Sequence, residues 1–230
     1  MLLELGSNGE TKHFTNNLVF ERNAVKNFEK GLEIIDGENY IVRNNIFASP
    51  STALDNASIS VGSYRGWDWR PSKNITIAGN SILSASDLGI IVRDFPGSSE
   101  FPSSLNHENI TIKNNIVKLL RSGASLKVES GQPLNQISSN NNILNGPSAN
   151  VVNANSTAMT LAQWNALAGN DAFSSSSNPE FVSEFSDFHI SSGSPAINAG
   201  ALLPTLLYYD FDKSTRPKGI AQDIGAYEVQ

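Results

Sequence analysis

The chain has 230 residues, of which 39% are hydrophobic and 17% charged, and its formal net charge is −6. This length suffices for one folded domain, and the acidic balance argues against a nucleic-acid partner, which would need a basic surface. No apolar run approaches the roughly 20 residues that cross a bilayer, and the absence of cysteine excludes disulfides and thiolate metal sites.

The first residues do not resemble a signal peptide. The stretch from Met1 to Gly6 lacks both a basic region and a long enough apolar run. Repeat-like sequence begins by Asn17, with little before it that could cap a stack of repeats, and stacks of repeats need capped ends. We therefore expect the native protein to continue upstream of Met1.

Five segments share one pattern, an Asn followed by five residues and a second Asn. They run from Asn17 to Asn23, Asn39 to Asn45, Asn74 to Asn80, Asn109 to Asn115 and Asn135 to Asn141. Apolar and polar residues alternate within them, which is typical of a strand with one buried face. Their starts lie 22, 35, 35 and 26 residues apart. The spacing favours a solenoid whose coil of about 22 residues carries loop insertions of variable size.

The second Asn of each segment is expected to lie at a corner of the coil. Asn tolerates the left-handed backbone conformation there, and its amide can bond to the same residue of the next coil. We therefore expect Asn45, Asn80 and Asn115 to stack along one corner.

A further strand is predicted in four of the coils. The segments are 31–36, 58–63, 89–94 and 125–130. Aligned in this way they give two inward columns, Leu32/Ile59/Ile90/Leu126 and Ile34/Val61/Val92/Val128. The outward columns are then Glu33/Ser60/Ile91/Lys127 and Ile35/Gly62/Arg93/Glu129. Neighbouring coils would lie about 4.8 Å apart.

The sequence changes character from Thr157 onward. A short helix is predicted from Met159 to Gly169, with Thr160 as its cap and Gly169 as its stop. It is followed by the motifs NPEF (178–181), SPAINAG (194–200) and DIGAYE (223–228). This succession resembles the C-terminal end of bacterial carbohydrate-active proteins of the pectate-lyase-like superfamily. Asn198 departs from the pattern, since an acidic residue is usual there.

The resemblance implies an all-β fold, a right-handed parallel β-helix with a short helix and an irregular closing segment. Residues 1–156 would form the coils and residues 157–230 the closing part of the same domain. It further implies a secreted or cell-surface protein whose partner is an extracellular polysaccharide. It does not imply a reaction, because this fold carries lyases, hydrolases, epimerases and binding modules.

One insertion is rich in aromatic residues and arginine. Between a predicted strand and Asn74 it contains Tyr64, Arg65, Trp67, Trp69 and Arg70. Trp and Tyr offer flat surfaces to the C–H faces of sugar rings, and Arg can bond hydroxyls or uronate carboxylates. These residues are predicted to form a sugar-binding platform. The alternative is a loop whose aromatic side chains fold back over the edge of the coils.

Charged residues lie beside this insertion on the outward strand positions. Arg93, Asp94, Lys127 and Glu129 would form the floor of a saccharide groove, with the insertion from Phe95 to His107 as the opposite wall. The alternative is a surface ion pair between Arg93 and Glu129, worth about 0–1 kcal/mol.

The sequence gives no catalytic or metal-binding constellation. A glycosidase needs two facing carboxylates, and a lyase of this class needs a base beside a calcium site. Asp94 and Glu129 are not marked as a pair, and the other acidic residues of the repeats are scattered: Asp36, Asp55 and Asp68. The three histidines are isolated in sequence: His13, His107 and His189. We therefore assign no catalytic residue, metal or cofactor.

Three acidic residues of the closing segment could together hold a cation. They are Asp210, Asp212 and Asp223. The preferred interpretation is that Arg216 pairs with them.

Two functions follow. The favoured one is a non-catalytic carbohydrate-binding module for a plant cell-wall polysaccharide, part of a larger enzyme with an upstream catalytic domain, similar to the β-helical xylan-binding modules of bacterial xylanases. The alternative is a truncated polysaccharide lyase or glycoside hydrolase with part of its catalytic residues upstream. An adhesin or structural β-helix remains as a third class. Neither a nucleic acid nor a membrane is an expected partner.

Overall fold

The computed structural model describes residues 3–5, 16–64, 70–95 and 106–229, with Leu3–Leu5, Tyr64, Asp94 and Phe95 described by their backbone alone. The chain winds through three parallel sheets in a repeating order. Sheet A contains β1 (Leu3–Leu5), β4 (Leu32–Ile35), β7 (Ala57–Tyr64), β10 (Leu88–Phe95), β13 (Ala124–Val128) and β16 (Val152–Ala154). Sheet B contains β2 (Val19–Glu21), β5 (Glu38–Arg43), β8 (Lys73–Ala78), β11 (Glu108–Lys113) and β14 (Ile137–Asn140). Sheet C contains β3 (Ala24–Lys26), β6 (Ile46–Ser49), β9 (Ser81–Ser84), β12 (Ile116–Leu119) and β15 (Ile143–Asn145).

Each coil therefore has three corners, named here A–B, B–C and C–A after the sheets they join. The stack ends in β17 (Thr157–Met159), which pairs antiparallel with β16, and in the helix α1 (Leu161–Ala168). A separate hairpin follows, formed by β18 (Phe181–Ser183) and β19 (Asp187–Ile190). These elements confirm the predicted all-β parallel solenoid with one short helix.

The predicted core columns are confirmed. Strands β4, β7, β10 and β13 pair in parallel in the predicted register. The column Ile34, Val61, Val92 and Val128 is fully buried, and the column Leu32, Ile59, Ile90 and Leu126 is exposed by at most 1%. Alternation of side chains along each strand places these residues inside and their neighbours outside. The core is therefore a stack of apolar side chains along the solenoid axis.

The predicted asparagine stack is also confirmed, at the B–C corner. The amide of Asn45 donates to Asn80 Oδ1 at 2.9 Å, and the amide of Asn80 donates to Asn115 Oδ1 at 2.9 Å. The backbone N–H of the donating Asn bonds to the same oxygen in each case, at 3.0 Å. The stack begins at Asn23, and its three predicted members have no exposed surface. Buried amides thus satisfy one another from coil to coil.

Two details of this corner were predicted wrongly. The left-handed backbone lies one residue earlier, at Asn44 (φ 52°), Gly79 (φ 63°) and Asn114 (φ 54°), and the stacked Asn is not itself left-handed. In the last repeat the stack continues through Asn142 and not Asn141. Ile110 pairs with Ile137, so this repeat is shifted by one residue from the predicted alignment.

The helix α1 closes the C-terminal end of the stack. Thr160 caps its N-terminus in a capping box with Gln163, and Gly169 (φ 68°) ends it. Both the cap and the stop were predicted. Trp164 is fully buried against the core, and its Nε1 donates to Asp171 Oδ2 at 2.9 Å. Asp171 Oδ1 in turn accepts from the amide of Asn142 at 3.1 Å. A carboxylate therefore ends the asparagine stack.

Residues 199–209, named here the strap, run along the B–C corner across four coils. The carbonyls of Ala199, Ala201 and Tyr209 accept from the amides of Asn141, Asn114 and Asn44, respectively. Gly79 has no side chain at the equivalent position, and the Leu207 methyl groups occupy that space. The left-handed corner residues thus serve as the binding positions of the strap.

A buried ion pair fixes the closing segment. Arg216 Nε donates to Glu228 Oε2 at 2.6 Å, and neither side chain has exposed surface. The guanidinium also donates to Asn44 Oδ1 and to the backbone carbonyls of Asp223, Gly225 and Tyr227. The prediction that Arg216 pairs with Asp210, Asp212 and Asp223 was therefore wrong: the carboxylate that pairs with Arg216 is that of Glu228.

The nearby acidic groups have other partners. Asp210 and Asp223 accept backbone N–H groups at the ends of the closing segment, such as those of Ser214 and Asn198. Carboxylates that accept N–H groups in this way order a loop. The described part of the chain contains no helix that could span a bilayer.

Candidate functional site

The residues predicted to bind carbohydrate lie at the end of β7 and after it, or in and directly after β10 and β13. They are Tyr64, Arg65, Trp67, Trp69 and Arg70 in the first group, and Arg93, Asp94, Lys127 and Glu129 in the second. Arg65, Trp67 and Trp69 lie outside the described residues, and the side chains of Tyr64 and Asp94 do too. The carbohydrate-binding role of all nine stays a prediction.

Both large insertions leave the stack at the A–B corner, side by side. Tyr64 at the end of β7 pairs in register with Phe95 at the end of β10. The chain rejoins sheet B at Lys73 and Glu108, which are also register partners, with their side chains 3.0 Å apart in an ion pair. The two insertions therefore leave and rejoin the stack in adjacent coils. The prediction that Phe95 to His107 form an opposite wall concerns mainly residues 96–105, which lie outside the described residues.

A column of buried polar residues supports the bases of these insertions. The backbone N–H of Ser72 donates to His107 Nδ1 at 3.0 Å, and the backbone N–H of His107 donates to Gln132 Oε1 at 2.9 Å. The Gln132 amide returns a bond to the His107 carbonyl, and Ser72 Oγ donates to the Gly62 carbonyl. All three side chains are buried. Because Nδ1 accepts, the proton of the neutral imidazole lies on Nε2, 3.3 Å from the Arg93 carbonyl.

The sequence interpretation missed this column. His107 is isolated from the other histidines in sequence, but in the fold it is part of a repeated corner with Ser72 and Gln132. The available signal was position, because Ser72 and His107 each immediately precede a strand of sheet B.

A cleft of about 280 Å³ opens beside the base of the first insertion. Its lining includes Asp36, Glu38, Arg70 and Lys73. Burial raises the pKa of Asp36, although a hydrogen bond from Ser63 Oγ and the nearby Arg70 act in the other direction. The cleft therefore offers both acidic side chains, which accept hydrogen bonds, and basic side chains, which donate them. It includes Arg70 from the predicted platform.

The outer face of sheet A is closed over much of its length. Glu33, Ser60 and Ile91, all on outward positions, are exposed by 4% or less. Lys127 and Glu129 keep 25% and 34% of their side-chain surface, respectively. The accessible part of the predicted groove floor is therefore at the C-terminal end of the sheet.

The charged residues of this face pair differently from the prediction. Arg93 Nη2 lies 3.7 Å from Glu33 Oε1, two coils away, and Lys127 Nζ lies 3.7 Å from Glu129 Oε1. The predicted pair between Arg93 and Glu129 is thus replaced by two pairs.

A second cleft, of about 370 Å³, lies on the outer face of sheet A beside the C–A corner. Asp55, Asp87 and Lys127 are among the charged residues that line it, and Asn153 of β16 lies at its C-terminal end. Lys127 and Asn153 are register partners, so they are neighbours in one outward column. Of the predicted binding residues, this cleft contains Lys127.

His189 belongs to a cluster on the surface of the closing segment. Its Nδ1 lies 2.6 Å from Asp187 Oδ1 and its Nε2 lies 3.0 Å from Asp212 Oδ2, while its ring stacks on Tyr227 at 3.9 Å. His189 is therefore isolated from the other histidines in sequence but paired with two carboxylates in the fold. Both ring nitrogens face ionised carboxylates, which only accept hydrogen bonds, so the imidazolium satisfies this geometry and the neutral ring does not.

The charge of this cluster should make stability depend on pH. Burial acts to lower the pKa of His189, but the bonds to Asp187 and Asp212 outweigh it and the pKa is raised. The resulting stabilisation is fully present below about pH 6.5, the unfolded value, and is lost as pH rises through the folded pKa. The pKa of Asp187 is lowered, chiefly by the backbone N–H of His189, so its own contribution is lost only on acidification.

We expect wild type to melt above His189→Gln at pH 6 and the gap to narrow at pH 9. The difference should stay below about 1 kcal/mol because the cluster is partly exposed. Calorimetry of both proteins across this range measures it. A gap that does not change with pH would contradict a charged His189.

The described residues contain no group of three or more His, Asp or Glu side chains arranged to hold a metal ion. His189, Asp187 and Asp212 are therefore not arranged as a metal site either. The carboxylates of the two clefts likewise do not form such a group.

Comparison of the chain with curated proteins and with solved structures gave no match. A family model described as "right handed beta helix region" matches residues 6–173. The match covers β2 to β17 and the capping helix, in agreement with the parallel register of the stacked strands. The chain therefore belongs to the right-handed β-helix family.

Proposed function

We propose that this β-helix binds a plant cell-wall polysaccharide of the xylan type without cleaving it, as a module of a larger secreted enzyme. Trp67 and Trp69 would supply the stacking surface, and Tyr64, Arg65 and Arg70 the hydrogen bonds beside it. The observation that carries the proposal is the position of their insertion at the A–B corner, next to a second large insertion in the adjacent coil.

The corner offers a rigid base for such a platform. Ser72 follows the insertion directly and is held by three hydrogen bonds, to Gly37, Gly62 and His107. Binding sites supported by packed and bonded residues lose less conformational entropy when a ligand binds. A loop that begins and ends on such a base suits a stacking role.

The chemistry of the surroundings also fits a sugar polymer. Arg70 is exposed and lines the cleft that also contains Asp36, Glu38 and Lys73. Sugar hydroxyls both donate and accept, so a cleft of mixed charge can bond them. A polymer lying over the aromatic platform would pass this cleft.

Affinity electrophoresis on gels that contain xylan, pectin or mixed-linkage glucan tests the proposal. We expect xylan to retard wild type, and Trp67→Ala and Trp69→Ala each to lose this retardation. Removal of a stacking Trp costs about 2 kcal/mol or more, which is roughly a thirtyfold loss of affinity. Melting curves of each variant would show that the fold is retained.

Phe173→Ala provides a matched control, because Phe173 is an exposed aromatic residue (73%) in the segment after the helix. It should migrate like wild type in every gel. Equal retardation of wild type and both Trp variants would show that the platform does not bind the polysaccharide. Release of reducing ends, or of unsaturated products that absorb in the ultraviolet, would replace the binding module with the lyase or hydrolase alternative.

A further inference from the structure

The cleft of about 370 Å³ at the C–A corner has the size of a small-ligand site. It lies on the outer face of sheet A, where the last coils and the antiparallel strand β17 end the sheet. The Trp insertion leaves sheet A at the opposite end of its strands, after the eight residues of β7. The two ends of such a strand are about 25 Å apart, so the cleft is separate from the base of the Trp insertion.

One buried atom in this cleft lacks a hydrogen bond. Asn153 Oδ1 is inaccessible and accepts no hydrogen bond from any described residue. Asn153 projects from the outer face, in register between Lys127 and Ala158. A buried acceptor without a donor costs about 1–3 kcal/mol. A turn of the partly exposed Asn153 amide toward the cleft would let this oxygen accept from a ligand and recover that energy.

The lining of the cleft is amphipathic. Leu88 and Ala124 form its apolar part, beside the outward Ile91. Asp87, Lys127 and Ser148 provide donors and acceptors around it. Sugar rings have the matching character, with C–H faces and a rim of hydroxyl groups.

Charge indicates which sugars would fit. Two carboxylates, Asp55 and Asp87, line the cleft against the single ammonium group of Lys127, which also lies 3.7 Å from Glu129. This negative balance disfavours uronates and phosphates. Neutral hydroxyls that donate to carboxylates and to an amide oxygen are favoured.

We propose that this cleft is a second saccharide site, which takes one or two neutral sugar units and bonds a ligand hydroxyl to Asn153 Oδ1 after the amide turns toward the cleft. The choice of a saccharide rests on the function proposed above. The two sites together would let one polymer chain contact both edges of sheet A.

Titration of the isotope-labelled full chain with xylobiose, followed by amide NMR, tests the site. Saturable shifts are expected at Lys127, Val152 and Asn153. Asn153→Leu should weaken this binding about tenfold or more, whereas Asn135→Leu, the same change at an exposed position, should not. Lys127→Met offers a second variant that should weaken binding if Asn153→Leu does not fold.

The same titration of the Trp67→Ala/Trp69→Ala double variant separates the two proposals. Retained xylobiose shifts at Asn153 in this variant would support the cleft whatever the gels show for the platform. Absence of shifts at these three amides, or equal affinity of Asn153→Leu and wild type, would overturn the site. Binding of glucuronate at the same amides as tightly as xylobiose would overturn its preference for neutral sugars.

Discussion

Arg216→Met should lower the free energy of unfolding by about 3–5 kcal/mol, because it leaves the carboxylate of Glu228 buried without its cation. The change also removes the donors to Asn44 Oδ1 and to three backbone carbonyls. Urea unfolding followed by circular dichroism measures the loss. The whole closing segment should be affected, since Arg216 joins its last residues to the second coil.

Two variants test this explanation. Arg22→Met removes an ion pair of similar length, 2.6 Å from Arg22 to Glu21, at a partly exposed site and should cost less than about 1 kcal/mol. Arg216→Met combined with Glu228→Gln should be more stable than Arg216→Met alone, because the unpaired charge is gone. A double variant as unstable as the single one would show that lost hydrogen bonds, and not the buried charge, determine the effect.

Asn80→Ala should destabilise the fold by about 3 kcal/mol. Asn80 Oδ1 accepts from both the backbone N–H and the amide of Asn45, and the Asn80 amide donates to Asn115 Oδ1 and the Val42 carbonyl. All of these groups are buried, and each donor left unpaired costs about 1–3 kcal/mol. Chemical denaturation of the variant gives the measured value.

Asn74→Gly is the matched control for this corner. Asn74 belongs to an exposed stack, in which its amide donates to Asn39 Oδ1 at 2.9 Å. Glycine keeps its left-handed backbone (φ 54°) without strain while it removes the amide. We expect a much smaller loss than for Asn80→Ala. Equal losses would mean that burial of the stack does not matter.

The repeat and the core were predictable because both depend on short-range pattern. Ile34, Val61, Val92 and Val128 keep one phase relative to the preceding corner, and the structure places all four in one buried column. The cap of α1 was predictable for the same reason, since Thr160 and Gly169 act on backbone groups within one turn. Local physics decides these features.

The last repeat was misaligned although the sequence contained the deciding signal. Asn140, Asn141 and Asn142 make the Asn spacing ambiguous, whereas Ile137 can occupy an inward position in only one alignment. Burial of Ile137 outweighs a formal match of Asn residues, because apolar burial favours one alignment while three successive Asn residues can each supply a corner amide. Hydrophobic phase should therefore decide such alignments.

The site features that escaped prediction depend on contacts across unequal insertions. His189 meets Asp212, 23 residues later in the chain, only because the closing segment folds back on itself. Ser72, His107 and Gln132 form one column although insertions of different length separate them. Both clefts likewise combine residues from several coils. Sequence spacing does not identify the neighbours of His189 or of the clefts, whereas the positions of Ser72 and His107 directly before strands of sheet B were an available signal.

The strap changes how this solenoid can come apart. In a simple repeat stack each coil contacts only its neighbours, so coils can open one at a time from an end. Here one continuous segment is bonded to Asn141, Asn114 and Asn44 and packs over Gly79, so four coils share a single restraint. Opening one coil therefore requires its release from the strap as well as from its neighbouring coils. The strap therefore converts a chain of pairwise couplings into one cooperative unit, which resists fraying and the proteolysis that follows it.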